Sequence, residues 1–453
     1  MALKNQISKE DFLAVFRDEP INTLLGTNGD NGNGLNFTTI DFPNKTEEEW
    51  RHTSINKILQ HRFGLGKTVS LDKKTVDLFT IPGLDAYRLV FINGYYNPDL
   101  SDEIEKAGKL LVKSSAKVKK EHPEIFNKYY KSTDLGSENF FTTLNTAYAT
   151  NGSFIYLPDN AVLDKPVHII NFSDGQDSKT ISQYRNVFYA GKNSKAQIVN
   201  SFHSLTVNYT LTNVATEIIV DENAFLNFNI FQGEGDDAFQ MNHTKVFQHR
   251  NSNFSSHTIT LCGAIVRNDI HIKHLDEGCE TNLNGLYLPD REQHFDNHIF
   301  VHHAKPHGTS NQIYKGIIDN KASAVFLGKV LVDRDAQKTL AAQSNRNVLL
   351  TKYAKVNSKP QLEIYADDVA CSHGSTTGQI DKEALFYLQS RGIDRRNAET
   401  LLLSAFLSDV IENIQVEPLK ILVKLLINKR LKGEKVEGQC SMIEACHGCD
   451  PID

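Results

Sequence analysis

A turn followed by a small residue and then alternating apolar positions recurs through the middle of the chain, at Lys195-Ala196, Asn223-Ala224, Asn251-Ser252 and Gly278-Cys279. The small residues stand 28, 28 and 27 positions apart, and Ser323 is expected to continue the register after an insertion. A unit of that length, made of short strands and turns, cannot bury an apolar face by itself. Stacking each unit on the next buries it. The pattern therefore predicts a solenoid, best fitted by a parallel β-helix, over roughly two hundred residues after Asn151-Gly152, where helical spacing gives way to alternation. An antiparallel β-sandwich with evenly spaced turns is the other architecture that spacing alone allows.

On either side the spacing is helical. Ser8 is placed to cap a helix through Phe12, Val15 and Phe16. Thr46 with Glu49 has capping-box spacing ahead of Trp50, and Ser101 opens a Lys/Glu-rich amphipathic stretch through Leu110 and Val112 that reads as helix. After Asp381, an apolar stripe begins at Ala398, Leu401, Leu402, Ala405 and Phe406 and runs to Ile414, and Pro418 can open a last helix. That stripe either packs within a C-terminal bundle or docks a partner. The chain thus reads as mainly β, with a mainly helical region over 1–150, a solenoid core over 151–370, a helical region over 371–433 and a Cys-containing tail over 434–453. The helical regions can cap the ends of the solenoid.

At 453 residues with a net charge of -6, the chain lacks the basic footprint of a nucleic-acid binder. Its first residues lack the apolar core of a signal peptide, and no apolar run approaches the ~20 residues that span a bilayer. A cytoplasmic protein is expected. Six cysteines in so long a chain do not make a disulfide scaffold, which leaves reduced thiols free for metal or redox work.

The chemistry concentrates in LEIYADDVACSHGSTTGQIDKEALFYLQSRG, Leu362 to Gly392. An apolar-alternating strand breaks at Asp367 and Asp368, Cys371 and His373 follow two residues apart, and a turn over Gly374 to Gly378 leads to a helix capped by Asp381. In an extended segment Cys371 and His373 point to the same side, and a neutral imidazole can coordinate iron or shuttle a proton near neutral pH. The two aspartates could orient the imidazole, although turn-forming Asp is common.

This stretch resembles the signature of the SufB/SufD family of the SUF iron–sulfur assembly system, and the His-Gly pair after Cys-Ser resembles its SufD branch. EEWRHT at Glu48 to Thr53, NQIYKG at Asn311 to Gly316, VFLGKVLV at Val325 to Val332 and DAQKTLAAQ at Asp335 to Gln343 resemble the same family. The resemblance implies a right-handed parallel β-helix between helical regions, pairing with a SufB-like subunit and binding a SufC-like ATPase on the C-terminal helices. It implies that His373, with Cys371 as a second candidate, contributes to a nascent iron–sulfur cluster shared at the SufB interface. The chain would then be a non-catalytic scaffold subunit, with ATP-driven closure supplied by the partner. A SufB-like homodimeric scaffold with SufC is the alternative within the family, and a β-helix polysaccharide-active enzyme the alternative outside it.

Three other constellations compete for a role. GLGKT at Gly64 to Thr68 ends as a phosphate loop does but has His61 where such a loop needs glycine, so no bound nucleotide is expected. His294, His298, His302, His303 and His307 crowd one segment, the first three at a spacing that keeps them on one face, and histidines so clustered can bind a transition metal. The tail carries Cys440, Cys446, His447 and Cys449, enough soft ligands for one metal or sulfur site, in a spacing that fits no closed zinc-finger pattern.

Overall fold

The computed structural model describes residues 6–16, 24, 40–106, 110–130, 139–175 and 178–434. Two parallel sheets face each other along a β-solenoid of about seven turns. Each turn gives one strand to each sheet, from Thr180–Ala190 with Lys195–Ser204 to Lys355–Ile364 with Ala370–Gly378. Alternation sets the two faces: Ile198 and Phe202 point into the solenoid with Phe228 stacked beside Ile198, while Val199 and Phe231 point outward.

One corner of every turn explains the period. Asn193, Asn223 and Asn251 hold φ of 56°, 56° and 53°, and Gly278 holds 72°. This left-handed conformation costs most side chains about 1–2 kcal/mol, and Asn and Gly tolerate it best. The asparagines also bond up the corner, Asn223 Nδ2 to Asn193 Oδ1 at 3.2 Å and Asn193 Nδ2 to Asn160 Oδ1 at 3.0 Å. The residue after each of these packs in the bend and must be small. That column is Ser194, Ala224, Ser252, Cys279, Gly308 and Thr339. The first anchor is therefore Ser194 rather than Ala196, which lies inside a strand, and Ser323 starts a strand of the opposite sheet beside His294.

Ser8 caps Lys9–Leu13, accepting from the Asp11 amide at 3.0 Å. Thr46 caps nothing, since the short 3₁₀ turn Glu48–Trp50 follows Glu47 with no side-chain cap. The stretch after Ser101 is not a helix but two strands, Ile104–Lys106 and Leu110–Ser114. The second runs antiparallel to Ser153–Leu157 and buries Leu111 and Val112, while Lys113 is held between Glu105 and Glu121 at 2.5 and 2.7 Å. Burial against a distant strand outweighs the charge pattern here.

The flanking regions cover the sides of the solenoid rather than its C-terminal end. Phe12, Trp50 and Ile58 pack on Leu211 and Phe239 of the first sheet. The helices Arg395–Glu412 and Glu417–Leu431 lay Leu407, Val410 and Leu422 on Val199, Ile259 and Leu286 of the second. Lys315, buried in the second sheet, pins the first of these helices: its ammonium bonds the Phe406 carbonyl at 2.6 Å and Asp409 at 2.7 Å. Lys315→Met is expected to cost about 1–2 kcal/mol and to speed amide exchange selectively in Arg395–Glu412, read by denaturant melts and hydrogen exchange.

Candidate functional site

Among the described residues both sheets stop at an open rung. Lys355–Ile364 and Ala370–Gly378 are the last strands of their sheets, each paired on one side only. Their side chains are half-buried or exposed, whereas Thr180–Ala190 and Thr210–Val220 at the other end of the solenoid are almost wholly buried. Unpaired strand edges of this kind are templates for another chain.

The segment Ala370–Gly378, expected to turn after His373, is a strand throughout. Cys371, His373 and Ser375 stand beside Ala341, Gln343 and Asn345 and so share the inward face, which at this last rung is the mouth of the solenoid. Cys371 is half-buried against the core, and burial pushes its thiol pKa up, so the free chain holds it protonated. His373 is exposed at the mouth. Ser375 Oγ meets Ser358 Oγ at 2.7 Å, which in turn donates to Asn345 Oδ1 at 2.7 Å, tying the two end strands to the turn below. Asp381 caps the next helix, accepting from the Glu383 and Ala384 amides at 2.9 and 3.1 Å. Asp368 belongs to the corner instead: its carboxylate pairs with Lys338, and neither aspartate bonds His373 in any contact among the described residues.

The histidine segment does divide by face. His294, His298 and His302 lie on the outer face of their strand and His303 points inward, but each is already committed. His294 bonds Thr53 and Ser323 at 2.8 and 2.7 Å, His298 bonds Asp296 at 2.9 Å, His302 bonds Asp333 at 2.9 Å, and His303 bonds Ser310 at 2.8 Å. His307 sits on the exposed corner with φ of 60°. Among the described residues the one trio of potential ligands within 4.8 Å of each other is Glu105, Glu121 and His122, and the Lys113 ammonium already bridges its two carboxylates. GLGKT forms the two-residue strand Gly64–Leu65 beside Thr180 and Ile181, and the next helix starts only at Lys73, so no phosphate cradle exists there. Cys440, Cys446, His447 and Cys449 lie outside the described residues.

A buried charge centre, unforeseen in the sequence, fastens the N-terminal segment to the solenoid. Arg267, 2% exposed at its side chain, grips Asp269 with Nε and Nη2 at 2.9 and 2.8 Å and Asp296 with Nη1 at 2.8 Å. Its guanidinium lies 3.9 Å from the Trp50 ring centre and donates to the Glu49 carbonyl at 2.8 Å. Burial opposes ionisation of Asp296, yet the facing charges of His298 and Arg267 hold its carboxyl well below the usual carboxylate range.

Comparison with known proteins gives this arrangement a context. The family described as "SUF system FeS cluster assembly, SufBD core domain" matches residues 171–406, and the SufBD N-terminal region matches residues 33–169. The chain belongs to the SufB/SufD family. An iron-sulfur cluster assembly SufBD family protein of Synechocystis is 30% identical over 430 residues, 92% of each chain. Iron-sulfur cluster assembly protein SufD of Escherichia coli is 29% identical over 395 residues, 86% of this chain and 90% of its own. The chloroplastic protein ABCI7 of Arabidopsis thaliana is 32% identical over 286 residues, 62% of this chain and 60% of its own. The core match spans the stacked turns of this SufBD chain, and the N-terminal match contains the Trp50 segment that Arg267 clamps. Membership ties the chain to iron–sulfur cluster assembly in the SUF system. No helix among the described residues is long and apolar enough to cross a membrane.

Proposed function

We propose that this chain is the SufD-type subunit of a SufBCD-type scaffold, that a SufB-type protomer seats on the open rung, and that the nascent cluster forms between them with His373, and Cys371 after loss of its proton, as ligands from this side. The single observation that carries the reading is the terminal rung, which leaves two strand edges without a neighbour among the described residues and presents an imidazole and a thiol at the same mouth. The cluster is cargo, made here and passed on. Such clusters ask for about four protein ligands, and this rung offers two, so the remainder comes from across the interface. Main-chain pairing along both edges would supply affinity, and the mouth residues would supply chemistry.

A SufC-type ATPase docks on the C-terminal helices in this reading. Phe386, Tyr387 and Leu401 are 72%, 57% and 52% exposed there, and exposed apolar groups on neighbouring helices mark partner surfaces. Of the expected stripe, Val410, Ile411 and Ile414 pack on the solenoid together with Leu403 and Leu407, which the stripe did not include, while Leu401 faces outward and is left for a partner. The chain hydrolyses nothing itself; nucleotide-driven closure of the ATPases strains the shared interface and exposes the assembly site. A cytoplasmic compartment suits a thiol that must stay reduced and an imidazole that must stay open to iron. In isolation the open edges accept a second copy of the chain, a homodimer that the SufB-type protomer displaces.

Anaerobic cluster assembly on the complex co-expressed with SufB- and SufC-type partners tests this. His373→Ala should lower cluster yield about tenfold or more while gel filtration shows the complex intact, Cys371→Ala should lower it less, and truncation before Cys440 should leave it unchanged. Loss on truncation alone would move the ligands to Cys440, Cys446 and Cys449 and sink the assignment to the open rung.

A further inference from the structure

Gln312, Gln343 and His373 form one column on the inward face of the second sheet, each the register neighbour of the next. Gln343 is 4% exposed, and its Nε2 donates to Gln312 Oε1 at 3.2 Å. That bond pairs the two amides: reversing Gln343 alone would set two carbonyl oxygens against each other, while Gln312 Nε2 is itself buried without a partner among the described residues, so the sense is set for the pair together and not for Gln343 alone. Gln343 Oε1 is thereby left buried with no hydrogen-bond partner among the described residues. A buried amide carbonyl in that state is a standing cost, and native structures pair such groups.

Space has been kept for this amide. Gly328 faces it from the opposite sheet, and a Cβ there would lie 3.1 Å from Gln343 Nε2 and 2.9 Å from the Phe326 ring. Gly328 is not among the positive-φ residues, so its missing side chain answers to room rather than to backbone conformation. On the other side of Gln343 the next side chain in the column is His373, about 4.8 Å up the sheet and on the same face. An imidazole N–H is the donor that the carbonyl lacks.

We propose that Gln343 is the positioning residue for His373: once a partner closes over the terminal rung, the imidazole donates its N–H to Gln343 Oε1, which turns the other ring nitrogen, with its lone pair, toward the interface. In the free chain His373 is exposed and makes no hydrogen bond with Gln343 among those of the described residues, so the contact is completed by closure. One hydrogen bond of this kind fixes both tautomer and ring plane, as outer partners of metal-binding histidines do. The inference rests on the reading of His373 as a cluster ligand given above.

The test uses the co-expressed complex, loaded with iron and sulfide and then reduced, with pulsed electron paramagnetic resonance reading the ¹⁴N coupling of a histidine bound to the cluster. Gln343→Leu should weaken or scatter that coupling and lower iron retention about ten- to hundredfold, and Gln343→Glu, which keeps an acceptor oxygen in place, should restore the coupling. A merely structural glutamine predicts the reverse order, since a buried carboxylate packs worse than leucine. Should the leucine variant fail to assemble, Gln312→Leu serves instead: it frees the Gln343 amide to rotate, and a broadened ¹⁴N coupling is expected. If Gln343→Leu keeps the coupling and the iron while His373→Ala loses both, the positioning role is wrong and the ligand assignment stands. If His373→Ala itself keeps the coupling, the reading of the open rung fails and this inference falls with it.

Discussion

Replacing Arg267 by leucine is expected to destabilise the protein by about 3–5 kcal/mol, the cost of breaking a buried ion pair from one side. The side chains of Asp296 and Asp269 are 0% and 12% exposed, and without the guanidinium these buried carboxylates would be left with His298 and with the Thr53 hydroxyl, which donates to Asp296 Oδ2 at 2.5 Å. Arg267→Lys should also lose stability, because an ammonium cannot hold two carboxylates and the Glu49 carbonyl through a planar fork while lying on the Trp50 ring. The loss should show first as proteolytic cleavage around residues 47–60, since the clamp holds that segment to the sheet, and then as a lower midpoint in urea. The decisive comparison is the triple variant Arg267→Leu, Asp269→Asn, Asp296→Asn. Removing all the charges together should recover part of the lost stability; if the triple variant is as unstable as the two Asp→Asn changes added to Arg267→Leu, the electrostatic account is wrong and Arg267 acts only by filling space.

The period of this fold was legible because it is written in residues that a corner cannot do without. A left-handed position favours Asn or Gly, and the bend behind it takes a small side chain, so Asn223-Ala224, Asn251-Ser252 and Gly278-Cys279 announce themselves, whereas His307 and Lys338 hold the same corner in the next two turns at φ of 60° and 61° and give no such signal. Lys195-Ala196 imitates the pair two residues late, and spacing alone could not separate it from Asn193-Ser194. The strands after Ser101 were illegible for a different reason. Lys and Glu alternate there as on a solvated helix, and only the pairing of Leu111 and Val112 with Tyr156 and Ile155 makes them strand.

At the candidate site, the two-residue spacing of Cys371 and His373 gave their shared face correctly, but nothing local says that their rung is the last. That follows from where the C-terminal helices go, onto the outer face of the second sheet through Leu407 and Lys315, so that none of the described helices covers the mouth. Arg267 and Trp50 are far apart in sequence and neither stands in a motif that names the other. Gln343 closes the DAQKTLAAQ run and is recognisable as a neighbour of His373 only once the strand register is known. Residues that act through pairing across turns are invisible to a reading that moves along the chain.

Stability should fall steeply as the pH is lowered from 7 to 5, because the solenoid buries neutral imidazoles. Burial is the main cause in each case: it pushes His168 and His203 down to about 3, His257 and His303 to about 4, and His274 well below its ordinary value. In the unfolded chain each titrates near 6.5, so below that pH the unfolded state binds protons that the folded state refuses, and stability present above about 6.5 is lost as the pH falls toward the folded values. At pH 5 this amounts to about 2 kcal/mol per histidine, or about 10 kcal/mol for five. Glu234 works in the opposite sense. Burial raises its pKa to about 7, against an ordinary value of 4.5, so its penalty is largest at neutral pH and relaxes on acidification, returning about 2–3 kcal/mol. Asp269 and Asp296 are held below their ordinary range and give up their contribution only at more acid pH, outside this window. A net loss of several kcal/mol between pH 7 and 5 follows, measurable as urea midpoints across that range. Glu234→Gln should steepen the decline by removing the compensating group, and replacing a single buried histidine, His303→Gln, should reduce the proton uptake on unfolding by about one. A flat profile between pH 7 and 5 would mean that these imidazoles reach water, both in the solenoid interior, where His274 and His303 point, and on the covered outer face of the second sheet, where His168, His203 and His257 stand.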